Sequence, residues 1–447
     1  MTDEERGRSA PPELLQPGCI SVLLKRFMER LPGFRDFYPE PLPHPDVWSA
    51  DARRYIFDKW HETARRYGFR EYDGPPLEPL ELYTLKSGEE IVGQLYNFRD
   101  KGDREMALRP EMTPTLARML AAHERNYKKP IKWFTAPQLF RYERQQRGRM
   151  REHFQLNADI IGEKDVSADS ELIALLIDTL RSFGLTNDDF VVRLSSRNAW
   201  HDFFHARQPD ASREYEFYQI VDKFEREERA VSEKKLQALG ISQGELTDFI
   251  EKGEPTAELQ RVLDNLRARG LGDYVCVDYH IIRGLAYYTG VVFEAFYRKG
   301  ELRAIAGGGR YDNLIKLVSG NKVDLPALGF GMGDVVLLEL LQERKLLPAF
   351  DPRIDVVCLV EDETLRPDAL KLVQQLRDAG VTVEYSFTPA KSDKQFKRAL
   401  ELKARFTVKP ERNAEGGSTV RVKNLSDRSE QVLPIDDAVQ QLKQQCQ

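Results

Sequence analysis

The chain has 447 residues, a formal net charge of −5, 41% hydrophobic residues and 31% charged residues. This composition is typical of a globular protein of roughly two to four domains, and it excludes a uniformly basic nucleic-acid binder. The four cysteines are scattered and the seven histidines show no metal-ligand spacing, so we expect neither a disulfide framework nor a zinc site. No apolar run approaches the length of a membrane span, and the reduced cytoplasm is the expected compartment.

The N-terminal half predicts a core domain that a helical segment interrupts. Residues 1–28 begin polar and rich in proline, and we expect a disordered extension there. Apolar residues at helical spacing from about Pro45 to Tyr67 predict a helix, and strand-like and helical pieces alternate after it. We therefore assign 29–195 to the first part of a core domain. A charged stretch with few β-formers follows, and it predicts a helical insertion over 196–275.

Strand character returns with "IIRGLAYYTGVVFEAF", Ile281 to Phe296, which predicts a strand although it contains Arg283. A buried guanidinium is costly, so the stretch is either an edge strand with Arg283 in solvent or an anion site beside an aromatic pocket. The residues alone leave both interpretations open. We assign 276–347 to the second part of the core domain.

After Leu347 and Pro348, strand and helix patterns alternate, which predicts a separate small α/β domain over 350–447. The whole chain thus predicts an α+β fold. Its main element is an antiparallel sheet flanked by helices, with a helical insertion and a C-terminal α/β domain.

Two segments of the core combine charge with a defined position. "RYERQQRGRMREHFQ", Arg141 to Gln155, holds five arginines split by Gly148. It predicts two strands joined by a cationic loop that reaches phosphates, although a solvated loop is also compatible. In "ALRPEMTPTLARM", Glu111 precedes a helix that begins near Thr113. Its carboxylate would either hold an ammonium group or stabilise the helix N-terminus.

Two glycine-rich segments follow. The three glycines of "AIAGGGRYDNL" allow close approach of a backbone or a ligand, or else form a tight turn. Their spacing is not that of a dinucleotide-binding fingerprint. "LGFGMGDVVLLELL" leads small residues into an apolar helix, and plain helix packing would explain it.

The order of these segments resembles that of class II histidyl-tRNA synthetases, from about Leu31 to the end of the chain. "RGLAYYTG" and the arginine-rich block ending at Gln155 are the specific parts of the likeness. The resemblance implies a class II catalytic core, a C-terminal anticodon-binding domain and a homodimer whose interface includes the helix from Pro45 to Tyr67. It implies ATP with Mg²⁺, L-histidine and tRNA(His) as partners, with no protein-bound zinc and no membrane.

The resemblance also implies site residues. The α-amino group of histidine would contact the segment Glu111, Met112 and Thr113, and its carboxylate would contact Gln155. The imidazole would meet Asp159, Tyr287 and Tyr288.

For the other substrates, Arg141 and Arg283 would be catalytic at the α-phosphate of ATP, where a planar, permanently charged guanidinium stabilises the developing charge. Arg310 would also bind ATP. The tRNA acceptor end would meet Arg144, Arg147 and Arg149.

Two positions depart from the family pattern. Ala286 stands where the family usually has Asp, and Val336 stands where an arginine usually faces the γ-phosphate. We predict that Arg149, Arg151 or Arg310 compensates for the missing arginine.

The alternative is a histidine-sensing regulatory subunit of ATP phosphoribosyltransferase, a relative without aminoacylation that generally lacks the C-terminal domain. This chain keeps that domain, with basic residues suited to an anticodon stem: Lys391, Lys394, Lys397, Arg398, Lys403 and Arg405. It also keeps Arg141, Gln155 and Arg283, which a sensor would not all need. The ligase is therefore favoured, and a plain RNA-binding or scaffold protein ranks below both.

Overall fold

The computed structural model describes residues 29–87, 89–143, 148–224, 227–281, 288–300, 302–350 and 354–446. Within these ranges the chain forms two compact units. Residues up to Phe37 and Ala52–Leu347 form the first, and Tyr38–Asp51 with Pro348–Gln447 form the second. The finer domain boundaries drawn from the sequence stay a prediction.

Short strands of two to ten residues run through the N-terminal and middle parts of the chain. They are β1 (Phe37–Tyr38), β2 (Trp48–Ser49), β3 (Arg70–Glu71), β4 (Leu77–Pro79), β5 (Asn97–Arg99), β6 (Glu105–Leu108), β7 (Ile131–Thr135), β8 (Gln138–Phe140), β9 (Glu152–Ile161), β10 (Phe190–Ser196), β11 (Val275–Val277), β12 (Val291–Tyr297), β13 (Ala306–Arg310) and β14 (Ala327–Gly333).

The main sheet has the order β11-β10-β12-β13-β14-β9-β7-β3, and β8 pairs with β9 at its side. From β10 to β7 all neighbours are antiparallel, which confirms the predicted sheet. The outer pairs β10–β11 and β3–β7 are parallel, contrary to a purely antiparallel expectation. Parallel neighbours need long crossover connections, and here each pair is joined through helices. A smaller antiparallel sheet has the order β4-β6-β5.

The helices that accompany these strands are amphipathic or largely buried. They are α1 (Ala50–Arg66), α2 (Glu81–Ser87), α3 (Thr113–His123), α4 (Ser167–Arg181), α5 (Arg197–His205), α6 (Glu214–Lys223), α7 (Arg229–Ala238), α8 (Gln243–Lys252), α9 (Ala257–Ala268), α10 (Leu314–Val318) and α11 (Asp334–Glu343).

Helix α1 buries Ala52, Ile56, Trp60 and Ala64, the stripe that the apolar spacing predicts. It begins later than Pro45 because Trp48 lies in β2. Helices α5 to α9 lie between β10 and β11, in the region predicted as an insertion. Among the described residues, no helix is both long enough and apolar enough to cross a membrane.

The segment predicted as a strand from Ile281 is only partly described. Strand β12 begins at Val291, and Tyr288 to Gly290 precede it without strand structure. Residues 282–287 lie outside the described residues, so the question of how Arg283 is accommodated keeps both of its interpretations.

The second unit alternates strand and helix as predicted. Its elements are β15 (Val356–Cys358), α12 (Arg366–Asp378), β16 (Val383–Tyr385), α13 (Ser392–Glu401), β17 (Phe406–Arg412), β18 (Ser418–Asn424), β19 (Glu430–Pro434) and α14 (Ile435–Cys446). The sheet order is β16-β15-β17-β18-β19. Strand β15 is parallel to both of its neighbours, as crossover helices require.

Candidate active site

A cavity of about 360 Å³ lies in the first unit, beside the middle strands of the main sheet. Many of the residues that the sequence nominates meet there. The lining includes Glu111, Thr113, Arg141, Arg149, Gln155, Asp159 and Tyr288. The further candidates Arg144, Arg147, Arg283 and Tyr287 lie outside the described residues, so their places stay predictions.

Strand β9 supplies one wall of the cavity. Gln155, Asn157 and Asp159 alternate along it and all three line the cavity, because every second side chain of a strand points to the same face. On the neighbouring strand β14, Gly333, Gly331 and Gly329 stand opposite these three residues in order. Each polar side chain of β9 thus faces a position without a side chain.

Because these positions of β14 have no side chain, side chains of β9 occupy the space beside them. A Cβ added at Gly329 would collide with Oδ1 of Asp159, and one at Gly331 would lie 2.7 Å from Cδ of Gln155. Gly333 differs, since a Cβ there meets no described atom within 4 Å. The glycines before Asp334 therefore form the floor of a cavity, and the interpretation of this stretch as plain helix packing is wrong.

Asp159 is the most unusual group in the cavity. Its side chain is buried, the hydroxyl of Tyr311 donates to Oδ1 at 2.5 Å, and Oδ2 has no hydrogen-bond partner among the described residues. Burial raises the pKa of this carboxyl to about 7, although the Tyr311 hydrogen bond acts in the opposite direction.

This raised pKa has a cost for folding. Because the exposed carboxyl titrates near 3.9, the free energy of unfolding falls as the pH rises from there to about 7. The total loss is about 4 kcal/mol, which is the price of burying the ionised Asp159. A carboxylate oxygen that is buried at such a cost, and that has no partner in the part of the chain the structure describes, is suited to receive a polar group of a ligand.

Another part of the lining is cationic. The Nε atom of Arg141 donates to the carbonyl of Pro110 at 3.2 Å, which aligns the guanidinium. Arg149 forms an ion pair with Glu143. Burial and the nearby arginines, Arg141 first, lower the pKa of His153 to about 3, so this imidazole is neutral at physiological pH. This part of the cavity favours an anion.

Arg303 also lines the cavity, beside the two residues Gly148 and Val336. A Cβ placed on Gly148 would lie 3.3 Å from Cγ2 of Val336 and 3.8 Å from Cδ of Arg303. Val336 is buried, as its apolar surroundings in "GDVVLLELL" predict, yet it faces the cavity as well. A cation from the connection before β13 therefore stands next to the position where the family pattern has an arginine.

Arg310 and Met112 are not part of the described lining, so the roles predicted for them at the ATP and histidine sites stay predictions. Arg310 is buried and its guanidinium pairs with Asp169 and donates to the carbonyl of Glu163, so it is committed on another side of β13. Met112 is fully buried in the apolar cluster that includes Leu116. Its place at the start of α3 positions its neighbours Glu111 and Thr113 instead.

A buried ionic network holds the two elements that border the cavity. Arg35 donates from Nε to Glu152 at 2.6 Å and from Nη1 to Asp334 at 2.8 Å. Asp334 also accepts from the backbone N–H of Phe154 at 3.0 Å. The start of β9 is thereby fastened to the start of α11.

Several lining residues were missed in the sequence. The sequence could have indicated Asn157, because this residue alternates with Gln155 and Asp159 along one strand. Tyr311 directly follows Arg310 in the quoted "GGGRYDNL". For His153 and Arg303 no spacing or motif singled out the residue, and only the folded chain places them in the cavity.

Comparisons with known proteins show which family the chain resembles. A family model described as histidyl-tRNA synthetase matches residues 45–334, and an anticodon-binding-domain model matches residues 354–445. The chain is 44% identical to a histidine–tRNA ligase of Opitutus terrae over 428 residues, which covers 91% of this chain and 96% of the relative. It is 36% identical to the chloroplastic/mitochondrial histidine–tRNA ligase of Arabidopsis thaliana, with coverage of 91% and 85%.

A solved structure supports the fold. The histidyl-tRNA synthetase of Nostoc sp. PCC 7120 superposes with a TM-score of 0.72 at 24% identity, covering 94% of this chain and all of that one. Together with the family models and the relatives, the matches span both compact units. The chain belongs to the histidyl-tRNA synthetase family.

Proposed function

We propose that this chain ligates L-histidine to tRNA(His) in an ATP-dependent reaction that passes through histidyl-adenylate. One observation carries the proposal: a single cavity joins a buried, incompletely paired carboxylate to a cationic region. The first can receive an imidazole N–H, and the second can receive the carboxylate of histidine and the phosphates of ATP. A cavity with both features fits the two substrates of the adenylation step.

In this proposal the histidine lies along β9. Asp159 accepts from the imidazole, with Tyr287 and Tyr288 around the ring. Gln155 meets the carboxylate, while Glu111 and Thr113 meet the α-amino group. Asp159, Gln155, Glu111, Thr113 and Tyr288 all border the cavity, which supports the assignment.

The reaction would follow in two steps. The histidine carboxylate attacks the α-phosphorus of ATP, with Mg²⁺ bound to the nucleotide, and pyrophosphate leaves. Arg141 and Arg283 stabilise the charge that develops on the α-phosphate. The terminal ribose hydroxyl of the tRNA would then attack the acyl carbon of histidyl-adenylate, the acyl–phosphate bond would break and AMP would leave, with Arg144, Arg147 and Arg149 at the acceptor end.

The second unit would bind the anticodon stem. Lys391, Lys394, Lys397 and Arg398 are exposed on α13 and just before it, where they suit a phosphate backbone. We further propose a cytoplasmic homodimer whose interface includes α1. The regulatory-subunit alternative is less favoured, because residues 354–445 match the anticodon-binding model.

The test is histidine-dependent exchange of pyrophosphate into ATP, followed by charging of unfractionated tRNA. We expect exchange with histidine and with no other standard amino acid, and we expect one charged tRNA species. Histidine binding without exchange or charging would instead support the regulatory alternative.

A pH dependence should follow from Asp159. We propose that the ionised carboxylate of Asp159 is the form that accepts the imidazole N–H. Because the fraction of this form falls about tenfold per pH unit below its pKa of about 7, kcat/KM for histidine should fall by the same factor. The imidazole of free histidine titrates in the same range, near 6.5, so a variant without a titrating group at position 159 is needed to separate the two titrations. The measurement is the pH profile of exchange from pH 5.5 to about 8.5.

Asp159→Asn is the matched variant, since the amide has nearly the same shape and does not titrate. The variant should have a lower kcat/KM at pH 8 and a shallower profile below pH 7. Identical profiles in the two proteins would show that Asp159 does not control histidine binding.

A further inference from the structure

Three potential metal ligands converge in the helical region between β10 and β11, away from the lining of the cavity described above. His201 and His205 lie four residues apart on α5, so both imidazoles project from one face of the helix. Glu214 is the first residue of α6. One ligand atom from each residue lies within 4.8 Å of the other two, and this is the one such group among the described residues.

The three groups face one another closely. Nδ1 of His201 lies 2.9 Å from Oε1 of Glu214, and Nε2 of His205 lies 3.5 Å from Oε2. The two imidazole centroids are 4.1 Å apart. Ligands that bind one ion at about 2.1 Å in tetrahedral geometry are roughly 3.4 Å apart, so these separations need only small side-chain adjustments.

We propose that His201, His205 and Glu214 bind a divalent transition-metal cation of the Zn²⁺ type, with water completing the coordination. Imidazole nitrogen and carboxylate oxygen are the ligands that Zn²⁺ accepts, whereas Mg²⁺ and Ca²⁺ prefer oxygen alone. The side chains are 52%, 29% and 24% exposed, so an ion reaches them from solvent. The ion would fasten α5 to α6.

A hydrogen bond from a neighbouring side chain orients the carboxylate of Glu214. The hydroxyl of Tyr218, one turn after Glu214 on α6, donates to the Glu214 carboxylate. Such outer hydrogen bonds orient a metal-binding carboxylate. The guanidinium of Arg197 stacks on the ring of Tyr218 at 3.7 Å and holds the ring in position. Its positive charge opposes a cation, so we expect a site of moderate affinity.

The expectation from the sequence that no histidines have metal-ligand spacing was therefore wrong. The pair His201 and His205 is the signal that was overlooked, because two histidines four residues apart on a helix share one face. The carboxylate comes from the next helix, which spacing alone did not indicate.

The experiment uses the full chain without a polyhistidine tag, first stripped with a chelator. Zinc chloride is titrated by calorimetry, and cobalt(II) chloride by visible absorption, which reports coordination by nitrogen and low symmetry. We expect one site, and we expect its affinity to fall at least about 10- to 100-fold in His201→Ala, in His205→Ala and in Glu214→Gln. Tyr218→Phe should weaken it by a smaller factor.

His44→Ala is the matched control. His44 is an exposed histidine beside a carboxylate, Asp46 at 3.3 Å, but within the described part of the chain it belongs to no group of three potential metal ligands. Zinc binding should be unchanged in this variant, and zinc should raise the melting temperature of the parent and of His44→Ala only. Absence of zinc binding in the parent, or binding by the His201→Ala and His205→Ala variants that is as tight as that of the parent, would show that protons and hydrogen bonds alone hold the three groups together.

Discussion

Gly329→Ala should reduce kcat/KM for histidine by about 10²-fold while the sheet remains folded. The added methyl group would collide with Oδ1 of Asp159 and would lie 3.1 Å from the carbonyl of Ala158. Forcing a methylene into a packed site costs about 1–3 kcal/mol, and here the group displaced is the carboxylate proposed to bind the imidazole. The measurement is pyrophosphate exchange as a function of histidine concentration.

Gly333→Ala makes the same change four residues further along β14. Its added Cβ meets no described atom within 4 Å, although Gly333 also lines the cavity. Activity should stay within about threefold of the parent, with a small stability loss because alanine is a poorer N-cap than glycine for α11. Equal loss of activity in both variants would mean that any side chain added to β14 lowers activity, and that the space for Asp159 is not the cause.

The comparison of these two glycines also shows what the sequence could predict. A strand after the arginine-rich loop and the roles proposed for Gln155 and Asp159 follow from local pattern and family resemblance. That Gly329 must be glycine does not, because its partner lies far away in the chain and the register of β14 against β9 is a property of the assembled sheet.

Arginines illustrate the same limit. A guanidinium beside three glycines predicts a phosphate-binding residue, yet Arg310 pairs with the buried Asp169 of α4. Local pattern does not indicate on which face of β13 a side chain lies, nor with which buried carboxylate it pairs. Arg303 carried no motif, and the fold alone brings it to Val336.

Loss of the Arg303 guanidinium should raise the ATP Michaelis constant by about 10- to 100-fold. Val336 cannot contact a phosphate, and the cavity must hold the triphosphate by other cations. Arg303 stands beside Val336 and Gly148 at the cationic part of the lining. A charge-assisted phosphate contact of this kind is worth about 1–3 kcal/mol. The measurement is exchange kinetics of Arg303→Ala with ATP varied at saturating histidine.

Other variants separate this contact from general effects. Arg303→Lys keeps the charge without the planar fork and should recover part of the affinity. Lys299→Ala removes an exposed cation from the same connection between β12 and β13, at a position that is not part of the described lining. This variant should leave the ATP Michaelis constant unchanged. Arg310→Ala should lower stability through the unpaired Asp169, but its folded fraction should use ATP normally.

Val336→Arg completes the set. The side chain at this position is 8% exposed and is packed against Gly148, so a guanidinium would enter without a prepared partner and should not improve ATP use. Arg149→Ala is measured beside it, because Arg149 also lines the cavity and forms an ion pair with Glu143. If Arg303→Ala leaves the ATP constant unchanged while Val336→Arg lowers it tenfold, the triphosphate binds at the Val336 position without help from Arg303, and our assignment is wrong.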